Sequence, residues 1–240
     1  MSLASPPRRA EIDEYAIKFI IGVIAIALPA AVWYLTGGSI DSISQSYWFE
    51  GSGWPRNLLV GSLCAIAAFM LAFNGRDGGE MWFAKIGSAA ALCVALFPCN
   101  CVNGGGTPGT RVLGVSVHWA AAAVLFVVLL YFCWRFWRRA RVKGQTGANP
   151  QASFRAGVYL ACFVGLVTAF VLFLISFATK RPNLIFWGET LGLISFGVSW
   201  LLASRILPVV THPSEREHLF VGGDPAAPPD SETAPEAARA

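Results

Sequence analysis

Apolar residues in this chain continue well beyond the length of a core helix and stop abruptly at polar or charged clusters. The runs are Ile17–Thr36, Asn57–Phe73, Phe83–Pro98, Leu113–Trp134, Ala156–Phe177 and Leu184–Ala203. A bilayer core about 30 Å thick takes about 20 apolar helical residues to cross. In lipid, only helices or closed barrels satisfy their own backbone hydrogen bonds. The pattern therefore predicts an all-α polytopic membrane protein, a single bundle of six transmembrane helices. Residues 1–16 form an N-terminal segment, 17–207 the membrane domain and 208–240 a tail. From Thr211 the tail is rich in Pro, Ala and Glu, with six acidic and two basic residues. It has too little apolar surface to offset its ordering entropy and is expected to be disordered. His212 and His218 lie there, in a solvated setting. The first run follows Arg8 and Arg9 as a signal peptide would, but it is longer than an h-region and five more runs follow it. An uncleaved first helix is expected.

Composition agrees with the pattern. The chain is 55% hydrophobic and 13% charged, with a mean hydropathy of +0.55, against about 25% charged in soluble proteins. Its formal charge of +4 is topogenic and does not point to nucleic acid, because the cations collect at the ends of the runs and no nucleic-acid-binding module is present. With the N-terminus inside, the inner segments hold Arg8, Arg9, Lys18, Arg76, Lys85, the group from Arg135 to Lys143, Arg155 and Arg205. The outer segments hold Arg56, Arg111, Lys180 and Arg181. The positive-inside rule then predicts both termini in the cytoplasm and a multi-pass protein of the bacterial cytoplasmic (inner) membrane. The basic group after the fourth run could also meet anionic lipid headgroups.

Small residues recur at helical spacing: Gly61, Ala65, Ala68 and Ala72 in the second run, and Gly188, Gly192, Ser195 and Ser199 in the sixth. Such stripes let helices approach closely in lipid, here within one chain. The fifth run is bulky throughout, as a lipid-facing wall would be. Trp33, Trp134, Trp137 and Trp200 lie near run ends and suit interfacial anchoring.

Two ionisable residues, His118 and Glu189, fall about five residues inside their runs, roughly 7–8 Å below the outer surface at 1.5 Å per residue. Ionisable groups at that depth face a partner or a cavity. The loop before the second run adds Ser42, Ser44, Ser46 and Tyr47, and Arg56 stands at the mouth of that run. Tyr47, Arg56, His118 and Glu189 are therefore the expected site residues, lining an outward-facing polar pocket. A purely structural cluster, with Arg56 paired to Glu189, and a catalytic group remain alternative readings of the same residues.

The runs Ser42-Ile-Ser-Gln-Ser-Tyr-Trp48 and Arg56-Asn-Leu-Leu-Val-Gly-Ser-Leu-Cys64 resemble the opening of a family of bacterial membrane proteins. So do Val94-Ala-Leu-Phe-Pro98, Val117-His118 and Phe186-Trp-Gly-Glu189. That family is known as domain of unknown function 998. The resemblance covers roughly residues 15–205 and implies a six-helix inner-membrane protein in which the four site residues act as one group. It implies no activity. The segment Phe49–Pro55 and the Cys99-Asn-Cys101 pair depart from the family pattern.

Cys64, Cys93, Cys133 and Cys162 belong to the runs and read as small hydrophobes. Cys99 and Cys101 fall on the outer, oxidising side, where unbridged thiols are the favoured reading, ahead of a disulfide and of a soft-metal site. Two thiols and one His fall short of a zinc centre, so no metal and no cofactor is expected. One histidine in the runs is too few for a zinc hydrolase or bis-histidine haem. A serine hydrolase using His118 and Glu189 remains the alternative, although no G-x-S-x-G is present. The inner halves of the runs carry no charged track and no repeated half, which argues against translocation. The sequence thus favours a non-catalytic protein that binds a lipid headgroup or small polar ligand, or serves as a subunit of a membrane complex. Its expected partners are membrane lipids and other membrane subunits, not nucleic acid.

Overall fold

The computed structural model describes residues 13–49, 53–99, 110–145, 150–208 and 210–211. Six helices are long and apolar enough to cross a membrane, so this is a multi-pass membrane protein. They are α1 (Glu14–Leu35), α2 (Trp54–Ala72), α3 (Gly78–Leu96), α4 (Val117–Gln145), α5 (Pro150–Thr179) and α6 (Asn183–Ala203). A short 3-10 helix, Ile43–Trp48, lies between α1 and α2. A two-stranded hairpin, β1 (Arg111–Val112) with β2 (Val115–Ser116), precedes α4. The expected tail beyond Thr211, the N-terminal segment before Asp13, and Cys101 lie outside the described residues.

Local chemistry sets the helix ends. Asp13 caps α1, accepting from the Tyr15 amide at 2.8 Å, and α1 stops where Gly37 and Gly38 take positive φ of 60° and 71°. Asp77 caps α3 by accepting from the Glu80 amide at 3.0 Å, while the Glu80 carboxylate reaches back to the Arg76 amide at 3.0 Å. This is a close variant of the capping box. The fourth run was expected to be helical from Leu113, yet α4 begins at Val117. Leu113 and Gly114 have φ of 52° and 81° and turn β1 back onto β2, so the apolar residues before Val117 belong to an exposed hairpin.

Each helix packs against its neighbours in sequence, and α6 returns to α1, which closes a six-membered ring. Glycine makes the closing contact. A Cβ on Gly22 would lie 2.8 Å from the Gly197 carbonyl oxygen, and one on Gly197 would lie 2.8 Å from that of Gly22. Backbones therefore meet directly, which is how small residues hold membrane helices together. The α2 stripe behaves differently. Gly61 and Ala68 are exposed, and a Cβ on Gly61 would meet nothing within 4 Å, so these two positions do not join α2 to its neighbours, whereas Ala72 packs against the core. The bulky α5 is the least buried of the six spans, as a lipid-facing wall requires.

The two ends of the ring differ. Towards the end that carries Arg76, Arg135 and Arg205 (the basic end), the interior is filled by Trp200 with Phe73, Phe132, Phe136 and Phe196. Their ring centroids lie 5.3–5.9 Å from that of Trp200. Trp200, expected as an interfacial anchor, is instead fully buried, because α6 turns that face toward the ring axis. Trp33 and Trp134 are exposed. At the opposite end (the loop end), Leu28, Ile43, Leu63, Val94 and Phe186 form a second cluster beneath the 3-10 helix.

Candidate binding site

The loop after α1 is fastened to α6. Phe186, in the first turn of α6, has an amide with no partner inside its own helix, and the amide donates to the Asp41 carbonyl at 2.8 Å. The next turn brings Glu189 beneath the start of the 3-10 helix. The Ser42 hydroxyl lies 3.0 and 2.9 Å from the two Glu189 oxygens. The Ile43 amide donates to Oε2 at 2.5 Å and the Ser44 hydroxyl to Oε1 at 3.1 Å. The Ser42 hydroxyl oxygen also accepts from the Ser44 amide at 3.2 Å. Glu189 thus receives two hydroxyls and one amide, all uncharged. A hydrogen bond contributes about 0.5–1.5 kcal/mol net, so together these contacts tether the loop to the helix ring.

Two further contacts stitch the same end. Trp48 Nε1 donates to the Cys99 carbonyl at 2.9 Å, and Nδ1 of the buried His118 lies 2.9 Å from the Phe97 carbonyl. Both tie the end of α3 to its surroundings. Cys99 is disulfide-bonded, where unbridged loop thiols were the favoured expectation. Cys64, Cys93, Cys133 and Cys162 are free.

The four expected site residues are distributed as follows. Glu189 is held by the 3-10 helix. Tyr47 faces Arg56, whose guanidinium carbon lies 6.0 Å from the ring centroid, and Arg56 is exposed. Among the described residues no Arg56–Glu189 ion pair is present, so helix register is not set by that pair. His118 is the second residue of α4, at the helix mouth, because the helix starts later than its apolar run. Its Nδ1 is committed to Phe97, and the Ser42 and Ser44 hydroxyls are directed at Glu189 rather than at an imidazole. The nucleophile–base contact that a serine hydrolase needs is not formed among the described residues.

Beneath the tether lies a cavity of about 640 Å³, within the usual size range of small-molecule sites. Its walls are almost wholly apolar, with Leu28, Leu63, Val94, Phe126, Phe173 and Leu193 among them. Ser44 and Glu189 bring the hydroxyl and carboxyl groups. The lining grades from Phe177, 64% exposed, to Leu28, 2% exposed. It therefore leads from the outer surface of the helix ring into its interior. Sequence reasoning placed a polar pocket here and missed the apolar one. The signal was Phe170, Phe173 and Phe177, spaced along one side of α5 and read as lipid wall. Among the described residues no three His, Cys, Asp or Glu side chains gather in a way that could hold a metal ion. The chain matches no protein-family model, no curated protein and no solved structure.

Proposed function

We propose that this protein binds an amphiphilic lipid in the cytoplasmic membrane of a bacterium, with the hydrocarbon part seated in the cavity at the loop end. The ligand's small polar end would lie beside Ser44 and Glu189. The observation that carries this reading is the cavity itself. It has the volume of a ligand site, its walls are apolar, and its lining runs from exposed α5 side chains to buried ones. A headgroup-only ligand suits such walls poorly, since a polar group buried without partners costs several kcal/mol. Glu189 already accepts from two hydroxyls and an amide. Its remaining capacity favours a single hydroxyl or amine on the ligand over an anionic group. The aromatic plug around Trp200 closes the far side of the ring interior, which favours binding over passage through the ring. The basic end faces the cytoplasm in this reading, by the positive-inside rule.

The test is native mass spectrometry of the gently extracted protein, comparing wild type with Ala122→Phe. Ala122 lines the cavity, and a phenyl ring there fills it. Wild type is expected to retain a co-purifying lipid, and the variant to lose it about ten-fold or more at an unchanged melting temperature. Equal retention by both proteins would place the lipid elsewhere and overturn the reading.

A further inference from the structure

The basic end holds a second cavity, of about 550 Å³, and its lining is of the opposite chemistry. Cations converge on it from five separate segments. Lys18 comes from α1, Arg76 from the α2–α3 turn, Arg155 from α5 and Arg205 from the residues after α6, and α4 adds four more, Arg138 and Arg139 among them. Among the described residues no acidic side chain lines it.

Retention of cations at a membrane surface explains their number but not this placement. Topogenic Lys and Arg side chains snorkel to water, whereas Lys18 and Arg155 are 4% and 5% exposed. The nearby carboxylates among the described residues lie outside the lining and are engaged elsewhere. Glu80 pairs with Arg135 and Arg139, Asp77 with Arg135, and Glu14 with Lys18 at 3.6 Å. Arg139 Nε is buried and makes no hydrogen bond among the described residues. Like charges gathered in a recess of low dielectric repel one another, and an anion seated among them removes that cost. Guanidinium groups suit phosphate oxygens in particular, because their planar fork donates two parallel hydrogen bonds. The apolar part of the lining, Phe136, Ala140 and Leu202, belongs to the buried core of the helix ring.

We infer that the cavity at the basic end is a binding site for a phosphate-bearing anion, either a phospholipid headgroup or a soluble phosphorylated molecule. This site lies at the opposite end of the ring from the apolar cavity and does not depend on what that cavity binds.

The test uses the full chain in nanodiscs and three proteins: wild type, the double variant Arg76→Gln/Arg138→Gln, and Arg141→Gln. Arg141 stacks over Trp137, 5.2 Å from its centroid, and is absent from the lining, so its loss removes one nearby charge and that stacking contact while leaving the lining intact. One arm titrates inorganic diphosphate calorimetrically into protein held in neutral phosphatidylcholine. The other measures, by native mass spectrometry, phosphatidylglycerol retained from mixed nanodiscs. Binding in the first arm assigns a soluble ligand, and retention in the second alone assigns a headgroup. In either case the double variant should bind about ten-fold or more weakly, the value of one charge-assisted contact, with Arg141→Gln matching wild type. No binding in either arm overturns the inference. An equal loss in Arg141→Gln also overturns it, since surface charge would then suffice. Should the double variant melt early, Arg76→Lys/Arg138→Lys preserves the charge while removing the fork, and undiminished binding by that protein would equally overturn a guanidinium site.

Discussion

Glu80 and Glu189 are both glutamates held inside the helix ring, and they are satisfied in opposite ways. Glu80 is fully buried at the basic end, where the guanidiniums of Arg135 and Arg139 and the Arg76 amide meet it. Glu189, at the loop end, meets two hydroxyls and an amide and no cation among the described residues. The first arrangement is an ionic latch between α3 and α4. The second is a neutral tether that folds a loop over an apolar cavity. An ion pair in a buried setting holds two helices at the cost of desolvating several charges. Hydroxyl and amide donors leave the neighbouring walls free to be apolar. The cavity beneath Glu189 can therefore accept hydrocarbon, whereas the recess beside Glu80 is lined with cations and suits an anion.

Substitution of the two carboxylates should separate these roles. Glu80→Gln is expected to have the largest effect, because it leaves Arg135 and Arg139 without their shared partner. Breaking a buried pair in this way costs about 3–5 kcal/mol, and unfolding of the purified protein in denaturing detergent should show it. A loss under about 1 kcal/mol would mean that the arginines find solvent and that no latch exists. Glu189→Gln should cost less, about 1–3 kcal/mol, since one oxygen still accepts from the serines. Its effect should be local: limited proteolysis should cut the segment between α1 and α2 faster while the helical core stays resistant. Global unfolding equal to that of Glu80→Gln would erase the distinction between latch and tether. Ser44→Ala should be the mildest, about 1 kcal/mol for one hydrogen bond. The Ser42 hydroxyl and the Ile43 amide still hold the carboxylate. Hydrogen exchange in the 3-10 helix is the sensitive readout, and a change as large as that of Glu189→Gln would make Ser44 the principal tether.

Much of this architecture was legible in the chain, and the misreadings share a cause. The six spans follow from apolar length, because lipid leaves a polypeptide few alternatives. Glu189 stood out as a carboxylate in an apolar run. Its partners did not, because Ser42 and Ser44 are far from it in sequence and ordinary in composition. Trp200 was read from its position near a helix end, yet a helix rotated slightly about its axis buries the same ring completely. Gly61 and Gly197 look alike in sequence. One would admit a Cβ into open space and the other would drive it against a backbone carbonyl. Leu113 was counted into a helix because it is apolar, although Gly114 beside it marks a turn. Glu80 went unremarked as a buried ion since it sits in a capping pattern at a helix start, and only the return of α4 brings Arg135 and Arg139 to it.

The sequence by itself determined the solvent, the number of crossings and the charge asymmetry of the two ends. Each depends on sums over many residues, which need no knowledge of neighbours. The tertiary structure alone decided that the ring closes between Gly22 and Gly197, that the cavity at one end is walled by apolar side chains and the cavity at the other by cations, and which donors each carboxylate meets. Those outcomes depend on the rotation of each helix about its axis, to within a fraction of a turn. In lipid every rotation presents apolar surface, so hydrophobicity cannot choose among them. Close packing and a few buried polar contacts make the choice.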